Sequence, residues 1–246
     1  MNKVFLGIII VSLVGLSILA SAEISEDFGG SHEVYLEKGW NLVSVYAPSS
    51  DLFDVRGNKE VINSLREKGI TSIFFYDKYN EKYIQLYPDN PSKESNVQNY
   101  FLNMGDPEKG GDLGKYGAFA NSAVWVYSEK PQLLKYYSVD GPLYVKDVKL
   151  KKGWNFLATT PEFKMKKLSQ IKGTCTFEKY ALWKSEEQKY VIFSAGERIN
   201  VEGNSIILDD IIPADSDSDV GKGFLIKTTN DCQLGSDFVS PPTIPN

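Results

Sequence analysis

The sequence predicts an α+β, β-rich fold of two tandem homologous units, each a small, mostly antiparallel sheet or barrel-like sandwich with one short helix. Three observations predict it. The segment LEKGWNLVS at 36–44 returns as LKKGWNFLA at 150–158. Further segments repeat in the same order after each copy. Short runs of β-branched and aromatic residues, bounded by turn residues, fill most of the remaining chain.

The further repeats define the extent of the two units. The aromatic segment at 76–83 is echoed at 183–190, and the segment at 122–127 is echoed at 222–227. Matches in a constant order indicate two copies of one structural unit. We therefore place the first unit at 34–146 and the second at 147–236.

Each unit opens with a strand, at 34–36 and at 145–150, that runs into a turn and a second apolar strand, which predicts a hairpin. A Gly-Trp-Asn triplet lies at this turn. Its glycine suits a positive φ angle, its asparagine can bond nearby backbone, and its tryptophan is expected to fill the core, with ligand stacking as the alternative. The triplets are Gly39, Trp40 and Asn41, and Gly153, Trp154 and Asn155.

A short helix is predicted next in each unit. Asn58 is a suitable N-cap and Gly69 a suitable C-cap in the first unit. In the second unit Met165, Leu168 and Ile171 form an apolar stripe that Gly173 ends.

Two further pairs of strands complete each unit. The predicted aromatic hairpins join 73–76 to 83–87 and 180–183 to 190–193. Longer polar connections then lead to final strands at 123–127 and 223–227, each followed by a turn and a short return strand.

The ends of the chain predict export. Lys3, the apolar run that follows it and the small residues Ala20 to Ala22 are typical of a signal peptide over 1–22. The alternative is an uncleaved membrane anchor. We expect a flexible segment over 23–33, a disordered proline-rich tail over 237–246, and a mature protein that is secreted or held at the cell surface, without membrane insertion after cleavage.

Predicted export decides what is expected of the two cysteines. Secreted thiols tend to pair, so Cys175 and Cys232 are expected to form a disulfide, the alternative being two unrelated free thiols. Zinc is disfavoured, because these thiols and the distant His32 fall short of four ligands.

The charge balance disfavours a nucleic-acid partner. The net charge is −5, and removal of 1–22 with its single lysine leaves 26 basic and 32 acidic residues. A nucleic-acid groove needs clustered Lys and Arg instead.

The sharpest candidate for metal binding is the acidic loop with Asp215, Asp217 and Asp219. Alternating aspartates can converge their oxygens on Ca²⁺. An EF-hand loop would need glycine where Val220 stands and glutamate where Ile226 stands, so that interpretation is excluded. The alternative is a solvated acidic loop, and no other cofactor is expected. A weaker analogue in the first unit comprises Asp106, Glu108 and Asp112.

The density of aromatic residues offers a second candidate, a sugar-binding face. Strand aromatics more often cover a core or an interface between units. The best candidates for ligand stacking are Trp125, Tyr127 and Tyr83. Others that could contribute to such a face are Tyr35, Tyr79, Tyr136, Tyr137 and Tyr144.

Enzyme chemistry is not predicted. The chain has one histidine, His32, and it precedes the first unit, so a Ser-His-Asp or Cys-His site would have to recruit it from an edge. No spacing among the acidic residues singles out a pair for glycoside hydrolysis.

The repeated triplets, the aromatic hairpins and the GKGFLI segment at 221–226 resemble tandem Gly-Trp-Asn-[Leu/Phe] modules of secreted and cell-surface proteins in archaea and bacteria. The resemblance covers nearly all of 34–236 and is better in the second unit. It implies a non-catalytic structural or interaction module of the adhesion or surface-layer type, with cell-envelope proteins or surface glycans as partners. The alternatives are an extracellular carbohydrate-binding module and, more distantly, a secreted hydrolase.

Overall fold

The computed structural model describes residues 30–45, 64–88, 121–138, 145, 148–201 and 204–235. The predicted signal segment 1–22, the predicted tail 237–246 and the acidic residues Asp106, Glu108 and Asp112 lie outside these ranges. No helix in the described ranges is long and apolar enough to cross a membrane.

The described chain consists mainly of strands. Those in its first half are β1 (Gly30–Leu36), β2 (Gly39–Ser44), β3 (Ile70–Asp77), β4 (Lys82–Tyr87), β5 (Ala123–Ser128) and β6 (Gln132–Ser138). Those in its second half are β7 (Lys149–Leu150), β8 (Gly153–Ala158), β9 (Phe177–Lys184), β10 (Lys189–Ser194), β11 (Ile199–Val201), β12 (Asn204–Ile206), β13 (Gly223–Thr228) and β14 (Cys232–Gln233).

Helices are short. The helical residues are α1 (64–67) and α2 (Leu168–Ile171), with 3₁₀ turns at Pro161–Phe163, Leu208–Asp210 and Asp217–Asp219. Gly69 and Gly173 follow the two α-helices with φ angles of 73° and 52°, which confirms their predicted role as C-caps. Met165 was expected on the second helix but lies before it, with its side chain exposed.

Two four-stranded antiparallel sheets organise the fold. The N-terminal sheet has the order β2-β5-β3-β4, and the C-terminal sheet has the order β8-β13-β9-β10. The predicted aromatic hairpins are confirmed as β3–β4 and β9–β10, with Tyr76 opposite Tyr83 and Trp183 opposite Tyr190.

The hairpin predicted at each Gly-Trp-Asn triplet is wrong. Strand β1 pairs with β6, and β7 pairs with β14, so β2 and β8 belong to other sheets than the strands before them. The positive φ angles of Gly39 (105°) and Gly153 (96°) turn the chain through a corner between two sheets. Strand β1 also begins at Gly30, inside the segment 23–33 that was expected to be flexible.

Each four-stranded sheet has its own core on one face. The N-terminal core includes Leu36, Ile73 and Val126, and the C-terminal core includes Phe163, Phe224 and Ile226. A third apolar cluster mixes residues of both sheets, so the opposite faces pack against each other. Its buried members are Leu42, Ala123, Phe156, Ala181 and Leu225.

Candidate functional site

The corner at each triplet is built around its asparagine. Asn41 Nδ2 donates to the carbonyls of Glu37 (2.8 Å) and Gly39 (3.0 Å), and Asn41 Oδ1 accepts from Glu37 N–H (2.8 Å). Asn155 makes the same three bonds to Lys151 and Gly153, at 2.8, 3.0 and 3.0 Å. Both side chains are almost fully buried, at 1% and 0% exposure. The prediction that these asparagines bond nearby backbone is confirmed.

The tryptophans of the triplets lie elsewhere than expected. Trp40 and Trp154 are half-buried and stand on the face that each sheet turns toward the other. The ring of Trp40 lies 5.1 Å from that of Tyr127 and 6.0 Å from that of Phe74. The tryptophan therefore belongs to the contact between the sheets, and the fully buried member of the triplet is the asparagine.

Large aromatic side chains of the two sheets meet between them. The Trp125 ring lies 5.0 Å from Trp183 and 6.1 Å from Tyr190, and the Phe156 ring lies 4.8 Å from Tyr76 and 6.1 Å from Tyr83. We call this set the aromatic seam. It comprises Trp40, Tyr76, Tyr83, Trp125, Phe156, Trp183 and Tyr190.

Backbone hydrogen bonds also join the two sheets. Ser44 N–H donates to the Gly221 carbonyl (2.7 Å), and Ala158 N–H donates to the Asn121 carbonyl (2.8 Å). Ser44 and Ala158 are the last residues of the two copies of the repeated segment. These bonds tie the end of β2 to the chain just before β13, and the end of β8 to the chain just before β5. Separating the sheets would expose the bonded groups.

Gln188, in the hairpin turn of the C-terminal sheet, makes two hydrogen bonds to the backbone of Trp40. Gln188 Oε1 accepts from Trp40 N–H (2.8 Å), and Gln188 Nε2 donates to the Trp40 carbonyl (3.0 Å). The indole N–H of Trp183 donates to the same carbonyl (2.8 Å). Sequence reasoning missed Gln188, although it matches Glu81 in the repeat and both residues have a φ angle of 50°.

The three candidates for ligand stacking all border the seam. Trp125 is half-buried, and Tyr127 packs edge-on against Trp40. Tyr83 is 52% exposed, and Tyr190 beside it is 38% exposed. Burial raises the pKa of Tyr190, and the nearby Tyr83 adds to that shift.

The ring planes in the seam are steeply inclined. Trp125 meets Trp183 at 89° and Tyr190 at 81°, and Tyr83 meets Phe156 at 82°. Edge-to-face packing of this kind is typical of aromatic clusters that stabilise a core or an interface. A flat platform of coplanar rings, which would favour sugar stacking, is not formed by these residues.

The other aromatic candidates are scattered. Tyr35 is 53% exposed on β1, away from the seam. Two ammonium groups, those of Lys78 and Lys151, lie 5.7 and 5.6 Å from the ring centre of Tyr79. The remaining three fall outside the described side chains, namely Tyr136, Tyr137 and Tyr144.

The acidic loop does not gather its three aspartates. Asp217 pairs with Lys164 (2.5 Å), whereas Asp219 accepts from Lys222 (2.8 Å) and from Ser216 Oγ (2.7 Å). A hydrogen bond to Asp219 raises the pKa of Asp215. Within the described residues no three His, Cys, Asp or Glu side chains form a group that could hold a metal ion, so the geometry gives the calcium hypothesis no support.

The predicted disulfide between Cys175 and Cys232 is confirmed, with the Cα atoms 5.0 Å apart. It ties the start of β14 to the chain just after α2. Gln132 occupies the corresponding place in the first repeat. Its amide donates to the Lys68 carbonyl (2.7 Å), just after α1, so a hydrogen bond stands where the second repeat has a covalent bond.

Lys78 links the hairpin turn of the N-terminal sheet to the chain before β8. Its ammonium donates to the Lys149 carbonyl. The Lys78 side chain is half-buried, and burial lowers its pKa to about 7. The nearby Lys151 lowers this pKa further, and Asp231 opposes the shift.

We expect Lys78→Met to stabilise the protein at neutral pH. The unfolded chain holds this proton up to its ordinary pKa of 10.5, so the stability of the native protein should rise with pH between about 7 and 10.5. The substitution should remove this slope and add about 2 kcal/mol at pH 7, allowing for the lost hydrogen bond. Urea unfolding at about pH 7 and about pH 9.5 measures both effects. Lys82→Met, at an exposed position, is the control, and an unchanged slope in Lys78→Met would contradict the expectation.

Comparison of the chain with protein-family models, with curated proteins and with solved structures finds no match. The chemistry of the described residues is therefore the basis for assigning a function.

Proposed function

We propose that this chain is an exported, non-catalytic structural or interaction module, built from two tandem homologous Gly-Trp-Asn units that are locked face to face. The identical strand orders of the two sheets support the tandem organisation. So do the matching hydrogen-bond sets of Asn41 and Asn155.

The observation that carries the proposal is the aromatic seam. Trp125 and Phe156, from opposite sheets, each cover an aromatic pair on the hairpin of the other sheet. Each of these rings packs against several neighbours, so the packing holds the two sheets at a fixed angle to each other. A body of fixed geometry suits a spacer or an adhesion scaffold, whose task is to hold other surfaces in position.

The disulfide supports a location outside the cytoplasm. Disulfides persist in oxidising compartments and are rare among reduced cytosolic proteins. The proposed partners are accordingly proteins of the cell envelope.

Fractionation of the source cells tests the proposal. An antibody against the folded chain should detect it in the envelope or the medium, at a mass consistent with cleavage after residue 22. Alkylation without reduction should label no cysteine in that material. Recovery in the cytoplasm with two free thiols would contradict both the location and the proposed role.

A second candidate is carbohydrate binding, because Tyr83 and Tyr190 leave much of their rings in solvent at one border of the seam. Retention of the protein on an envelope polysaccharide, lost in Tyr83→Ala and kept in Tyr35→Ala, would establish this candidate. Tyr35 is the matched control because its exposure, 53%, is almost the same as the 52% of Tyr83.

A further inference from the structure

The two sheets approach each other closely at Gly223, the first residue of β13. A Cβ atom added there would lie 2.5 Å from Leu42 Cγ and 2.6 Å from Ala123 Cβ, both on the N-terminal sheet. Real Cβ atoms essentially never come this close to other heavy atoms. Leu42 could change its rotamer, but the Cβ of Ala123 is fixed to the backbone of β5. Glycine is therefore required at position 223 by its partner on the opposite sheet.

The residue that matches Gly223 in the first repeat is Ala123 itself. The two positions face each other across the contact, so the pair is one glycine and one alanine. If a second N-terminal sheet took the place of the C-terminal one, alanine would face alanine and the clash would follow. The two faces are alike in strand order but not interchangeable.

At two other pairs of matched positions in the contact, one repeat has a large aromatic side chain where the other has leucine. Trp125 matches Leu225, and Leu42 matches Phe156. The large residue comes from β5 in the N-terminal sheet and from β8 in the C-terminal sheet. Each aromatic hairpin is thus covered by one large side chain, from a different strand in each case.

We propose that the seam face of the N-terminal sheet is a recognition surface for a non-identical sheet of the same module, with the Ala123–Gly223 contact as its specificity determinant. The surface accepts the C-terminal sheet of the same chain and rejects another N-terminal sheet. This rests on the proposed homology of the two units but not on the proposed location in the cell.

The test is a cycle of full-length variants, Gly223→Ala, Ala123→Gly and both together, followed by amide hydrogen exchange. The reporters are the N–H groups of Ser44 and Ala158, whose acceptors, the carbonyls of Gly221 and Asn121, lie just before β13 and β5 of the opposite sheet. Gly223→Ala should speed their exchange by about tenfold or more, as expected for overpacking strain. Amides inside one sheet, such as that of Val126, should change less.

Ala123→Gly should restore the protection of Ser44 and Ala158 in the Gly223→Ala background, because it removes the fixed Cβ. Gly235→Ala is the control, since its Cβ would meet its nearest neighbour at 3.7 Å, an ordinary contact. If Gly223→Ala does not fold, the proposal is tested with the double variant Gly223→Ala/Ala123→Gly. That variant should fold with the amides of Ser44 and Ala158 protected. Unchanged exchange in Gly223→Ala, or a double variant no better protected than Gly223→Ala, would overturn the proposal. Amide exchange is measured on purified protein, so its outcome does not depend on where fractionation finds the protein in the cell.

Discussion

Replacing Asn155 by alanine should lower the free energy of unfolding by about 3 kcal/mol, because the three hydrogen bonds of a fully buried side chain are lost. The Lys151 N–H and the Gly153 carbonyl bond to this side chain, and the Lys151 carbonyl accepts from both Asn155 Nδ2 and the Thr228 hydroxyl (2.8 Å). No water reaches a side chain of 0% exposure without the corner opening. Asn41→Ala should have a similar effect, since its bonds are the same.

Equilibrium unfolding in urea measures this loss. Asn230→Ala is the matched control, because Asn230 lies on an exposed turn and bonds only its two chain neighbours, donating to the Asp231 carbonyl (3.0 Å) and accepting from Thr229 Oγ1 (3.2 Å). The control should stay within about 0.5 kcal/mol of the natural protein. A loss below about 1 kcal/mol in Asn155→Ala would mean that the corner does not depend on its asparagine.

The seam changes what is expected of the tryptophans. A tryptophan plugged in the core would cost about 3–5 kcal/mol on truncation to alanine. Trp154 is only half-buried, at the border between the sheets, so its truncation should cost less than that and less than the loss of Asn155.

Local features of the fold could be predicted from the sequence, because their causes lie within a few residues. The aromatic hairpins follow from β-favouring residues flanking polar turns, and Gly69 and Gly173 end their helices through positive φ angles. The failed hairpins at Gly39 and Gly153 have a non-local cause. Strand β1 pairs with β6, about a hundred residues later in the chain, and nothing in the local pattern signals that partner.

The contact between the sheets could be predicted only in part. Aromatic strands favoured either a core or an interface between units, and Trp125 and Tyr83 lie between the two sheets. Which face each sheet would present was not determined, since both faces of β3 and β9 carry large apolar residues. The repeat does show glycine at 223 where the first copy has Ala123. That this glycine is required follows only from the structure, in which a Cβ at position 223 would lie 2.6 Å from the Ala123 Cβ.

Removing the disulfide should have the largest effect of all, a loss of about 4 kcal/mol in the free energy of unfolding. The bond joins residues 57 positions apart, and a closed loop of this size restricts the unfolded chain by about that amount in the loop-entropy model. We expect the same loss in Cys175→Ala/Cys232→Ala as in the reduced natural protein. Urea unfolding of both, beside the oxidised protein, provides the comparison.

The loss should be concentrated in the C-terminal sheet, because the bridge ties β14 to the chain after α2 and leaves the N-terminal sheet untouched. Amide exchange at Phe224 and Ile226 should speed up on reduction more than exchange at Val124 and Val126. The Gln132 amide should keep its bond to Lys68 under both conditions, so the N-terminal sheet serves as the internal control. Equal acceleration in both sheets would show that the seam spreads the loss and that the two sheets unfold as one unit. No change in either would contradict the stabilising role of the bond.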